Sequence, residues 1–166
     1  TPNSAATDAR TVPAAVGGWE GGFLRRFNTL LQYSVNCKDK TVRTRYQALT
    51  RFFKAYVYFE MVKRFGVIPW YDTELFVSET DQLNKPRDSR ELVMKNILED
   101  LDFAITNLST TPSVYTVTKW TALSLKSRVC LFEGTFRKYH NLNLSTNADF
   151  FLQESITASR ELMKES

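Results

Sequence analysis

Apolar residues recur along most of this chain at steps of three and four, the spacing of one face of an α-helix. The clearest stripe runs through Ala48, Phe52, Ala55, Phe59 and Val62 and predicts a helix over about 41–65. Leu49, Phe53 and Tyr56 are expected to widen its buried face. Arg43, Gln47, Thr50, Arg51 and Lys54 are assigned to the opposite, wet side. Gly66 follows at once and can take the left-handed conformation that ends a helix, with Pro69 beyond it as a stop. Upstream, Phe23, Phe27, Leu30 and Leu31 predict a helix reaching about Cys37. Before it, Gly17-Gly18-Trp19-Glu20-Gly21-Gly22 reads as a hinge around one large ring, and residues 1–16 as an irregular lead-in.

A third helix is predicted from Asp88 to about Leu108, opened by a capping-box-like pair of Asp88 and Glu91. Its buried stripe is Val93, Ile97, Leu101, Ala104 and Leu108. A fourth helix covers about 118–139. Trp120, Leu123, Ser127, Cys130 and Gly134 line one of its sides, and Leu125, Val129, Phe132 and Phe136 another. Small residues at Ser127 and Gly134 permit a close approach of a neighbouring helix. A fifth helix runs from about Ala148 with Leu152, Ile156, Ser159 and Met163 facing inward. Helices two and three, and four and five, therefore form two antiparallel hairpins. The expected fold is all-α, with stacked antiparallel helix pairs in a tetratricopeptide-like solenoid. The long connection at 67–87 spoils the regular 34-residue period of such repeats, and a loop of that length usually carries function or covers something.

Composition agrees with packed helices. Of 166 residues, 43% are hydrophobic and 13% aromatic, while only six Gly and five Pro interrupt them. The formal charge of +4 is spread over doublets such as Arg25–Arg26, Lys63–Arg64 and Arg137–Lys138. These read as solvated faces, which argues against nucleic acid as a partner. No apolar run approaches the ~20 residues of a membrane span. Neither Cys37 nor Cys130 belongs to a metal-ligand set, and their pairing is left open. His140 is the single histidine, at a helix end. No Ser or Cys has a base partner and no phosphate loop occurs, so no catalytic residue, metal or cofactor is assigned. Glu99, Asp100 and Asp102 are taken as a solvated helix face, and Glu60 as half of an ion pair with Arg64, Lys126 or Arg128.

Binding is the better prospect. Exposed rings suit sugars, whose C–H faces stack on them while hydroxyls find polar neighbours. Trp19, between glycine pairs, is the ring most open to solvent in this reading. Trp70, just past a helix end, either folds back on the core or faces a ligand; Trp120 belongs to a helix stripe. Tyr71, Asp72 and Asn28 are candidate polar neighbours, so the candidate ligand contacts are Trp19, Asn28, Trp70, Tyr71 and Asp72.

Three segments carry a more specific signal. Arg51-Phe52-Phe53-Lys54-Ala55-Tyr56-Val57-Tyr58-Phe59-Glu60-Met61-Val62-Lys63-Arg64-Phe65-Gly66, leading to Ile68-Pro69, resembles the signature helix of the SusD/RagB family. Pro86-Arg87-Asp88-Ser89-Arg90-Glu91, with Ile97 to Ala104 behind it, resembles that family's second block. Lys119-Trp120-Thr121-Ala122-Leu123-Ser124-Leu125-Lys126-Ser127-Arg128-Val129 through Gly134 resembles its third. Departures are modest: Val67 stands where many members have Asp, Trp70 and Tyr71 replace aliphatics, and Ser127 replaces a common Ala. The resemblance implies a non-catalytic, glycan-binding lipoprotein on the outer face of the outer membrane. It implies an oligo- or polysaccharide ligand and a SusC-like TonB-dependent transporter as partner. Contact with the membrane would come only through a lipid anchor upstream of this chain. Residues 1–166 would be the N-terminal helical part, supplying scaffold and transporter-docking surface. The alternatives are a soluble α-solenoid adaptor for other proteins and, more remotely, a helical glycoside hydrolase with two carboxylates about 5–10 Å apart.

Overall fold

The computed structural model describes residues 21–76 and 78–164. The lead-in at 1–16 and Trp19 lie outside the described residues. Every regular element among them is helical: α1 (Gly21–Tyr33), a 3₁₀ turn (Ser34–Asn36), α2 (Lys40–Phe65), α3 (Thr80–Leu83), α4 (Arg90–Asn107), α5 (Lys119–Tyr139) and α6 (Ala148–Met163). No described helix is long and apolar enough to cross a membrane.

Caps and breakers set the boundaries. Asp39 accepts the Thr41 and Val42 amide hydrogens at the start of α2, and Asn147 accepts that of Phe150 at the start of α6. Gly66 ends α2 with φ +76°, a conformation that disfavours any side chain, and its N–H returns to the Val62 carbonyl. The start of α4 differs from expectation. Ser89, not Asp88, is the cap and accepts the Leu92 N–H; Asp88 is engaged with the preceding loop. The stretch 67–87 also contains the short α3, which the apolar pattern did not signal.

The expected hairpins form. In α2 and α4, Arg51 meets Asp100 at mid-helix. In α5 and α6, Ser127 meets Ser155 and Ser159, Gly134 meets Leu152, and Lys119 meets Glu161, so these helices also run antiparallel. Between the hairpins, Arg90 of α4 reaches Glu133 of α5. The predicted stripes of α2 and α4 are all buried. Phe53 and Tyr56 are exposed instead of widening the α2 face; Tyr58 and Met61 take that place. In α6 the inward face is Phe151, Ser155 and Ala158, while Ile156 and Met163 point outward. Of the residues expected to face inward, Leu152 and Ser159 do meet α5: Leu152 packs on Gly134, where an added Cβ would lie 2.8 Å from it, and Ser159 bonds to Ser127.

The charged doublet at 137–138 divides. Lys138 is exposed, but Arg137 is only 1% exposed and Glu133 is fully buried. Glu133 accepts from Arg90 through both carboxylate oxygens (2.7–3.0 Å) and from Arg137 Nε at 2.7 Å. Arg137 also donates to Glu91 and to the Thr146 carbonyl. Its guanidinium lies over the Phe151 ring and that of Arg90 over Phe136. One buried carboxylate thus ties α4, α5 and the turn into α6. Glu60, by contrast, pairs with Lys63 one turn away on the surface and not with Arg64, Lys126 or Arg128. Cys37 and Cys130 are both free thiols. Trp120 is half-buried and gives its indole N–H to the Thr110 carbonyl.

Removing one member of a buried ionic cluster strands its partners, so Glu133→Ala is expected to cost about 3–5 kcal/mol of stability. Gly134→Ala should cost about 1–3 kcal/mol by overpacking against Leu152. Glu60→Ala should cost under about 1 kcal/mol. Denaturant melts of the three variants check this ranking.

Candidate functional site: a polar cleft beside a pinned loop

The loop that follows α2 is held by side chains rather than by regular structure. Trp70 is buried, stacked on Tyr58 of α2 at 4.0 Å between centroids and with Lys54 Nζ 4.6 Å from its ring centre. Its backbone N–H donates to Asp88 (2.7 Å), and its carbonyl accepts from Lys85. The Tyr71 N–H donates to the Tyr58 hydroxyl at 2.9 Å. Asn28 of α1, buried, donates one amide hydrogen to the Tyr71 carbonyl (3.0 Å) and the other to that of Thr73 (2.8 Å). The Glu74 N–H donates to Gln32. Residues 70–74 are therefore fixed between α1 and α2, with most of their backbone polar groups satisfied.

Beside this platform opens a cleft of about 730 Å³ bounded by α1, α2, α4 and the loop. Its lining includes Arg51 and Lys54 from α2, Asp72 and Glu74 from the loop, and Glu99 and Asp100 from α4. The wet stripe expected on α2 is in fact drawn inward here: Lys54 is only 3% exposed and Thr50 is buried. Lys54 Nζ stands 3.4 Å from Asp72 Oδ1, which also accepts the Trp70 indole N–H. Asp100, expected in solvent, is buried; its Oδ1 is 3.6 Å from Arg51 Nη1, and its Oδ2 has no hydrogen-bond partner. Arg51 Nε is likewise buried without a partner, its guanidinium 4.2 Å from the Phe103 ring centre. Unpaired buried donors and acceptors are costly in a folded chain, and these two lie behind the surface of the cleft and not on it.

Burial pushes the Asp100 carboxyl up to about 6, with Lys54 and Arg51 opposing the rise. Burial lowers Lys54, with Asp100 and Asp72 opposing. The two shifts have one origin, since each charge loses more solvation than its partners return.

The candidate contacts separate clearly. Trp70, Tyr71 and Asp72 stand together on the pinned loop, and Asn28 beneath it. Trp70 and Asn28 are buried and engaged in holding the loop; Tyr71 is half-buried, and the Asp72 side chain is 74% exposed at the cleft. Sequence reasoning missed Lys54, Arg51 and Asp100. The signal was their place on the same two helix faces, three residues apart on α2, but it is visible only once α2 and α4 are paired. A second open cleft, of about 760 Å³, lies between the start of α2 and the 108–117 loop. None of its lining side chains is among the buried groups that lack a partner.

Because Asp100 binds its proton more tightly folded than unfolded, it favours the folded state below about pH 4. That contribution is lost as pH rises through about 6. Asp100→Asn removes this dependence. The melting temperature of the variant is thus expected to rise relative to that of the parent between pH 5 and pH 7, as parallel thermal melts will check.

A family model described as starch-binding, associating with the outer membrane, matches residues 14–131. A SusD-like protein of Formosa agariphila is 28% identical over 108 residues, covering 65% of this chain and 21% of its own length. A crystal structure of a SusD-like protein from Bacteroides fragilis superposes with a TM-score of 0.68 at 26% identity, over 85% of this chain and 25% of that one. A structure determined with a xylogluco-oligosaccharide shares the fold at TM-score 0.71 and 20% identity, over 89% of this chain and 29% of that one. The chain spans about a fifth to under a third of the length of these relatives. With the family model matching well over half of it, this chain belongs to the SusD-like family of carbohydrate-binding proteins associated with the outer membrane.

Proposed function

We propose that this chain is the N-terminal helical part of a non-catalytic glycan-binding lipoprotein that serves a SusC-like TonB-dependent transporter from the outer face of the outer membrane. The helix hairpins act as scaffold and as transporter-docking surface, and the cleft beside residues 70–74 meets the ligand. The observation that carries this reading is a polar cleft, in a chain of a carbohydrate-binding family, whose wall offers the exposed Asp72 carboxylate on a loop pinned by α1 and α2. Pre-organised groups of this kind bind polyols without a large ordering cost.

The lining also points to a class of glycan. Asp72, Glu74, Glu79, Glu99 and Asp100 outnumber Arg51 and Lys54. A neutral oligosaccharide fits that balance, while a sulfated or uronic-acid-rich one would meet like charge. The relative bound to a xylogluco-oligosaccharide lends support by its family, not by any shared contact. Asp72 accepts a sugar hydroxyl in this reading; Trp70 and Asn28 act through the loop they hold, and Tyr71 lies outside the cleft lining. Asp100 and Lys54 are each shifted by their own burial, each opposing the shift of the other, and no bond-breaking role is assigned to them.

The test uses the full-length parent of this chain. Calorimetric titration with neutral oligosaccharides is expected to show binding that Asp72→Ala weakens about tenfold, the scale of one lost charged hydrogen bond. Purification from detergent-extracted outer membranes is expected to bring a large β-barrel with it. Soluble partners only, or release of reducing sugar from the oligosaccharide, would contradict the proposal.

A further inference from the structure

The second open cleft, of about 760 Å³ between the start of α2 and the 108–117 loop, has a lining of opposite character. No carboxylate and no aromatic ring belongs to it. Lys40 and Arg45 bring two positive charges; both residues are exposed, and neither has an ion-pair partner among the described residues. Lys40 stands four residues before Thr44, and Thr41 four before Arg45, so the four side chains form one patch on the first turns of α2. On the facing wall, residues 107–118 contain no charged side chain. The Ser109 and Ser113 hydroxyl oxygens accept the Thr111 and Tyr115 N–H groups at 3.1 and 3.2 Å, which leaves the hydroxyl hydrogens free of those bonds and able to donate. Asp39 is the one carboxylate in the run 38–45, and it accepts the Thr41 and Val42 amides of its own helix. With Lys38 and Arg43, that run holds four cations and one carboxylate, a net +3 against +4 for the whole chain.

From this we infer that the cleft binds an acidic sugar, its carboxylate or sulfate held by Lys40 and Arg45 and its hydroxyls met by the serine and threonine side chains. Bonds from ammonium and guanidinium groups to an anion are about twice as strong as neutral ones, and no like charge in the lining opposes them. The space falls within the roughly 300–1,000 Å³ of small-molecule sites and exceeds what one inorganic anion fills. A neutral sugar finds no ring here to stack on, and its hydroxyls would only exchange water for protein. Nucleic acid would likewise lack the aromatic platforms on which its bases stack. The charge preference is the reverse of that beside residues 70–74, where five carboxylates face two cations. This inference does not rest on the reading of that other cleft, and either can fill while the other stays empty.

The probes are trigalacturonic acid, its uncharged trimethyl ester and a sulfated carrageenan tetrasaccharide, titrated into the whole chain at low ionic strength and followed by protein NMR. Saturable binding of at least one of the two acids is expected, with shifts at residues 40–45 and 107–117. Their relative affinity identifies carboxylate or sulfate as the preferred anion. Trigalacturonic acid is expected to bind at least tenfold tighter than its ester, and added salt to weaken it. Replacing both cations, Lys40→Gln with Arg45→Gln, is expected to weaken binding of the acids at least tenfold. The melting temperature should stay the same, since both residues are exposed and unpaired. No saturable binding of either acid, equal binding of the ester, an affinity unmoved by the double variant, or inorganic sulfate competing as well as the sugars would each overturn the assignment. Adhesion to anionic phospholipid vesicles that needs Lys40 and Arg45 and that neither acid displaces would give the patch to a lipid surface and overturn it too. Acid binding here as expected, in a parent protein that takes no neutral oligosaccharide, would sink the reading of the other cleft alone.

Discussion

The cleft exists because Trp70 stacks on Tyr58. That stack puts a large ring back into the core immediately after α2 ends, and it sets the position of every group around it. The Tyr58 hydroxyl takes the Tyr71 N–H, Asp88 takes that of Trp70, and the ring's own N–H fixes Asp72. Lys54 can remain almost wholly buried because the same ring and the same carboxylate face its ammonium group. Without the stack, the 21-residue connection 67–87 would be free to wander, and its polar groups would turn to water. With it, the connection becomes a wall.

A second buried assembly does comparable work for the helices. Glu133 draws Arg90 and Arg137 together, and Arg137 continues to Glu91 and Thr146. Such clusters often add little net stability compared with apolar packing, but they are unforgiving of rearrangement because any misplaced member leaves a bare charge. The cluster therefore specifies which helix faces meet and, through them, how α4 presents Glu99 and Asp100 to the cleft. Gly134 acts in the same sense by letting α6 approach α5 closely. The stacked hairpins are rigid where the loop needs a fixed surface to rest on.

Much of this was legible in the sequence. The α2 and α4 stripes are simple periodic patterns of fully buried residues, and Gly66 marked the end of α2 correctly. The three family-like segments also contain the holding residues: Tyr58, Asp88, Glu133 and Gly134. Other features were hidden for physical reasons. Lys54, Asp100 and Arg137 follow the pattern of solvated positions; partners 18 to 49 residues away allow the burial of the first two, and Arg137 is held by Glu133 one turn back, by Glu91 and by the Thr146 carbonyl. In α6 the apolar residues Ile156 and Met163 are the larger ones, yet close packing favoured Ser155 and Ala158. The loop contacts of Asn28 with Tyr71 and Thr73 join residues more than 40 positions apart, and no local spacing reports them.

In the proposed reading, ligand meets this part of the protein on the face formed by the pinned loop and α4. Amide chemical shifts of the isotope-labelled chain, followed while a neutral oligosaccharide is added, locate that contact. Saturable shifts are expected at residues 72–74 and at Asn96, Glu99 and Asp100, with the α5–α6 surface unchanged. Saturable shifts confined to the α5–α6 surface, or to the 108–117 loop, would place the ligand elsewhere and overturn the reading.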